Sequence, residues 1–212
     1  LNMYFLLGFF LTFASSYLVS RTLTLSMASS ILVAFLFTFI PFHFLRIHHL
    51  NFTFYFVIPI YWFIAINFSS VTFMKSFKDG GYLKKFLIML GISSLSLFGI
   101  YFTFYGIIII TIGFIASLYK ETNPFKVKVF FLTVSLLIFG TFAQLSPHFY
   151  NNIVNGKNDS VAKRSAMESE VYGFKLMQLI IPRQNHRVEK LAHINSSYSG
   201  STPLVNENVT SS

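Results

Sequence analysis

The sequence predicts an all-α, polytopic integral membrane protein with about six transmembrane helices followed by a polar extracytoplasmic segment. Three observations lead there. Of 212 residues, 54% are hydrophobic and only 11% are charged, against about 25% charged in a typical soluble domain. The mean hydropathy is +0.62. The shortage of charge is concentrated in residues 1–146, whereas the chain from Pro147 onward is polar. The expected division is therefore a transmembrane bundle, 1–146, and a water-facing segment, 147–212.

A spanning helix needs roughly 20 mostly apolar residues, with a range of about 17–25. Residues 3–20 meet that requirement, and Arg21 ends the run. Residues 25–42 follow, with Pro41 closing the helix. Ala28, Ser29, Ser30 and Ala34 are small enough to let a neighbouring helix approach closely. Residues 52–68 make a third span, kinked at Pro59, with Tyr61 and Trp62 packed inside the bundle. Residues 74–85 form a basic loop around a Gly-Gly turn.

The apolar run 86–118 is too long for one crossing. It reads as spans near 86–100 and 103–118 that meet around Gly99–Gly106, with one long tilted helix as the alternative. A second basic loop, 119–128, precedes a last span, 129–146, ended by Pro147. In the tail, residues 148–166 read as a loop and 167–181 as a short amphipathic helix lying on the membrane surface. Ser165 and Glu168 fit a capping box there, and plain first-turn acids explain Glu168 and Glu170 equally well.

Orientation follows from charge in the short loops. Six spans put Arg21, Lys75, Lys78, Lys84, Lys85, Lys120, Lys126 and Lys128 on one side with Asp79 and Glu121. The other side has only Arg46 in its short loops. The lysine-rich side is then cytoplasmic. The turn Pro41–Leu50, the Tyr101–Tyr105 stretch and the tail face outward, in a cytoplasmic (inner) membrane. The net charge of +9 sets topology on this reading and does not call for nucleic acid. A chain that begins at Leu1 and stops at Ser212 inside a polar stretch reads as a piece of a longer protein.

No catalytic triad or phosphate loop is legible, and catalytic residues stay unassigned. The chain has no cysteine. Its histidines lack zinc-ligand spacing, so no metal site is predicted, and any cofactor stays unknown. Asn-x-Ser/Thr sequons at Asn158, Asn195 and Asn208 are of the kind that arise by chance in an Asn- and Ser-rich tail. What remains is a set of cationic and hydrogen-bonding groups on the outer side. Polar groups at membrane depth are costly unless buried in protein or facing a water-filled cavity. An arginine at the headgroup level suits bidentate capture of a phosphate, and a lipid carrier presents its phosphate there. An anionic phospholipid, or simple snorkelling, satisfies the same arginine.

Several stretches add a resemblance. Asn2–Leu7, then Pro41-Phe42-His43-Phe44 with Arg46 and His49-Leu50, then Gly99–Gly106, occur in that order. Ser169–Pro182, His186-Arg187 and Glu207-Asn208 follow in the tail. Together they resemble large polytopic bacterial membrane proteins: sugar translocases of surface polysaccharide biosynthesis, or GT-C-type glycosyltransferases. The resemblance implies sugar transfer from a polyprenyl-phosphate donor on the outer face, among membrane lipids. The alternative is movement of a lipid-linked sugar without bond chemistry. It puts His43, Arg46 and His49 near the donor phosphate. The resemblance puts Glu168, Glu170, Tyr172, His186 and Arg187 near sugar or acceptor, and Tyr101 and Tyr105, among the outer-face hydrogen-bonding groups, join them as substrate-binding candidates. That superfamily carries a catalytic acid in its first outer loop, and the loop after the first span here (Arg21–Thr24) has none, so the acid is expected upstream of Leu1.

Overall fold

The computed structural model describes residues 2–45, 50–119, 123–156, 180–182 and 186–201. The described residues are helical with turns between, and no strand occurs among them. In chain order the helices are α1 (Asn2–Thr22), α2 (Met27–Thr38), α3 (Pro41–Leu45), α4 (Val57–Asn67), α5 (Val71–Lys78), α6 (Tyr82–Leu95), α7 (Ile100–Leu118), α8 (Pro124–Asn155) and α9 (Glu189–Ser201). Short 3-10 turns at Leu50–Thr53 and Ser96–Phe98 precede α4 and α7.

Four stretches are long and apolar enough to cross a membrane: Met3–Thr22, Met27–Phe44, Ile100–Leu118 and Pro124–Asn155. They coincide with the expected spans at 3–20, 25–42, 103–118 and 129–146. The other two expected spans are shorter than their apolar runs. In the run 52–68 only the 11 residues of α4 are α-helical, a rise of about 16 Å. Helix α6 has 14 residues, about 21 Å, against a hydrocarbon core of about 30 Å. It also begins earlier than the apolar run, taking in Lys84 and Lys85. Hydropathy counts apolar side chains but does not register where the backbone turns.

The packing is inverted relative to a water-soluble bundle. Phe10, Leu32, Ile112, Phe131 and Phe139 are exposed, whereas Thr12, Ser30, Thr38, Ser117 and Thr133 are buried. Several buried hydroxyls return to a carbonyl of their own helix. Thr38 Oγ1 donates to Ala34 O at 2.7 Å, Thr133 Oγ1 to Val129 O at 2.8 Å and Ser117 Oγ to Phe114 O at 2.7 Å. Small hydroxyl residues let helix backbones approach closely without leaving a polar group bare in hydrocarbon. Ser30 and Ala34 give α2 this close approach to α1, although the buried Ser30 hydroxyl has no hydrogen-bond partner among the described residues; Ala28 and Ser29 are exposed.

Helix α4 is the best-buried element and packs on α7. Tyr61, Ile64 and Phe68 meet Ile110 and Phe114 in one cluster. A Cβ on Gly106 would lie 2.6 Å from the Tyr61 ring, and one on Gly113 2.6 Å from the Ala65 carbonyl oxygen. These two glycines, seven residues apart, are what lets α4 lie in the α7 surface. Tyr61 is fully buried, as expected, but Trp62 is 49% exposed and points out of the bundle. Helix α6 packs on α8.

Three features of the backbone depart from the sequence reading. Pro59 does not kink a span, because it occupies the first turn of α4, where an N–H has no helical acceptor in any case. Pro147 does not end the last span. It lies inside α8, and Ser146 Oγ donates to Ala143 O at 2.8 Å. That carbonyl is the one Pro147 cannot reach, and a serine beside a proline commonly fills such a gap in membrane helices. Residues 148–155 therefore continue the helix. The break between α6 and α7 is at Ser96–Gly99, with Gly99 at φ 142°, so Tyr101 and Tyr105 sit on the first two turns of α7 and not in a turn.

The chain divides into two compact units, Leu1–Gly156 and Lys157–Ser212. In the first, one end gathers Tyr4, Phe54 and Phe98, whose rings lie 4.2 and 6.3 Å from one another in that order. At the same end Gln144 Nε2 donates to Leu97 O at 3.1 Å. The opposite end gathers the start of α5 and the start of α8. In the second unit, Asn195 Nδ2 in α9 donates to Pro182 O at 2.8 Å. The amphipathic helix expected at 167–181 falls almost wholly outside the described residues.

Candidate functional site

The site predicted from sequence is the turn that opens at Pro41. Proline has no N–H, so the helix that starts at Met27 loses its bond to the Phe37 carbonyl, and α2 stops at Thr38. The freed acceptors are taken over from elsewhere in the fold. Tyr55 Oη lies 3.2 Å from Phe37 O and 2.9 Å from Thr38 O, and its one proton serves this pair. His43 Nδ1 lies 3.2 Å from the same oxygen. With the phenol proton directed to the carbonyls, His43 donates from Nδ1 to Tyr55.

His43 is sealed in by aromatic rings. It is fully buried, stacked on Phe9 at 3.6 Å with an 18° tilt and edge-on to Phe5 at 5.0 Å. Gly8 makes room for it. A Cβ there would stand 3.3 Å from His43 Cε1 and 3.1 Å from Thr53 O. Its Nε2 is buried without a hydrogen-bond partner among the described residues. His43 is named as a donor-phosphate contact from sequence, and in this structure its fully buried ring has no N–H open to the surface. Its role is to fasten α3 to α1 and to Tyr55.

The remaining candidates divide by location. Arg46 and His49 lie outside the described residues, between the described ends Leu45 and Leu50. Tyr101 and Tyr105 are 63% and 54% exposed on one face of α7. Tyr101 stands at the same end as the Pro41 turn, its ring 5.5 Å from Phe52. Glu168, Glu170 and Tyr172 lie outside the described residues. His186 and Arg187 belong to the second unit and are exposed, and His186 Nδ1 accepts a 3.1 Å bond from Val188 N just ahead of α9.

Tyr55 and Thr38 were not legible as partners of the turn. The only signal was Pro41 itself, which announces a bare carbonyl without saying what fills it. Tyr55→Phe is expected to cost about 1–3 kcal/mol, since two buried carbonyls lose their outside donor. Tyr101→Phe, at an exposed position, should stay within about 0.5 kcal/mol of wild type. Thermal unfolding of the two variants in detergent measures the difference.

Compared with models of protein families, with curated proteins and with solved structures, the chain matches none.

Proposed function

We propose that the chain is a glycosyltransferase-like membrane protein of surface polysaccharide or glycolipid synthesis, seated in the cytoplasmic membrane. Its ligand is a sugar carried on polyprenyl phosphate, bound from the outer face. Arg46 and His49 hold the donor phosphate, with Tyr101 and Tyr105 beside the sugar. The observation that carries this reading is the anchoring of the Pro41 turn. Buried His43 and Tyr55 fix its first flank, and the Leu50–Thr53 turn fixes the second, against Gly8. The four residues between these flanks, 46–49, include one arginine and two histidines. A guanidinium there forms paired, charge-assisted bonds to a phosphate. The turn, not His43 itself, supplies the contact.

The test uses the protein reconstituted in vesicles with a radiolabelled polyprenyl-phosphate sugar. Label appearing in a new glycosidic product supports transfer. Label crossing the bilayer with no new product identifies a translocase. Absence of both overturns the assignment to lipid-linked sugars.

A further inference from the structure

The opposite end of the same helices holds a cavity of about 250 Å³ between the α4–α5 turn and the start of α8. A water occupies about 30 Å³ in the liquid, so the space suits a small polyatomic group. Its polar lining is Ser69, Ser70, Lys75, Lys78, Asn123 and Lys126. Among the described residues, no acidic side chain lines it.

The charges are placed in an unusual way. Lys126 is only 6% exposed, although it stands in the first turn of α8, where the helix dipole favours anions and not cations. That first turn contains no acid. Ser70 and Asn123, which cap α5 and α8, both line the same space, so two helix N-termini add their positive ends to the lysines. Three lysines and two helix N-termini thus border one concave space, and charges and helix ends of that sign favour an anion. Lysine binds phosphate as a point charge, and serine hydroxyls and an amide add donors. This end is also the lysine-rich end of the apolar helices, where anionic headgroups and soluble phosphates both have access.

We propose that this cavity is a phosphoryl-binding site, built by Lys75, Lys78 and Lys126 with Ser69, Ser70 and Asn123. It is separate from the Pro41 turn and does not depend on the sugar-lipid reading. The ligand is a phosphate mono- or diester, either free or as the headgroup of an anionic lipid.

Binding of inorganic pyrophosphate to the whole chain in a neutral detergent tests the free form. Thermal unfolding in nanodiscs of phosphatidylcholine, with and without phosphatidylglycerol, tests the headgroup. We expect binding or stabilisation in at least one arm, weakened about tenfold by Lys75→Gln or Lys78→Gln. Both lysines are exposed, so their variants should fold even if Lys126→Gln does not. Lys84→Gln, which removes a nearby charge outside the cavity, should leave that arm unchanged. Pyrophosphate binding alone assigns a soluble ligand, and stabilisation by phosphatidylglycerol alone assigns a lipid. No response in either arm overturns the site. An equal loss with Lys84→Gln also overturns it, because diffuse surface charge would then suffice.

Discussion

Gly140→Ala is expected to destabilise the bundle by about 3 kcal/mol, the upper part of the range for overpacking. The added methyl would overlap the Ser93 carbonyl oxygen and Ser96 Oγ. The carbonyl belongs to the backbone of α6 and cannot rotate away. Ser96 is fully buried, and its hydroxyl already bonds Ser93 O at 2.6 Å. Helices α6 and α8 must therefore separate, which also stretches the bond from Gln144 to Leu97. Gly91→Ala is the control. A methyl there meets nothing within 4 Å, and alanine is the better helix former by about 1 kcal/mol. Thermal unfolding in detergent should show Gly140→Ala well below wild type and Gly91→Ala at or above it. Equal melting of all three would mean that α6 and α8 do not touch at this point.

On the proposed glycosyltransferase reading, Arg46→Ala is expected to lower sugar transfer about a hundredfold or more while the protein still inserts and folds. Two charge-assisted bonds to a phosphate contribute about 1.5–3 kcal/mol each, and about 1.4 kcal/mol corresponds to a factor of ten. Arg46→Lys keeps the charge but loses the planar fork, so it should recover only part of the rate. The initial rate of product formation in vesicles reads both. Full activity of Arg46→Lys would mean that a point charge is enough, as for a residue that merely rests among phospholipid headgroups.

The long apolar stretches were legible because a span is a matter of length and composition. The two short helices were not. The run containing Phe52, Tyr55 and Pro59 is uniformly apolar, yet its first residues fold as a 3-10 turn and only the rest as α4. Prolines were read as stops or kinks from the missing N–H alone. Pro41 does end α2, but Pro147 does not end α8, since Ser146 takes over the orphaned carbonyl. His43 was legible as a polar group at membrane depth, but not as a buried one. Its partners come from α1 and from Tyr55, twelve residues on, and sequence spacing carries no trace of that contact. Lys126 looked like an ordinary loop lysine that sets topology. Only the fold shows that it is buried.

Helix α8 has 32 residues, a length of about 48 Å. A hydrocarbon core of about 30 Å would require a tilt beyond the usual limit of about 40° to contain it. Its last three turns, after Gln144, are mostly exposed. They are braced along their own surface by Asn152 with His148 and by Asn155 with Asn151. In a bilayer of that thickness this stretch would stand clear as a stalk. A thick bilayer would submerge more of it and a thin one would bare more, so the host membrane sets how far the stalk stands above the headgroups.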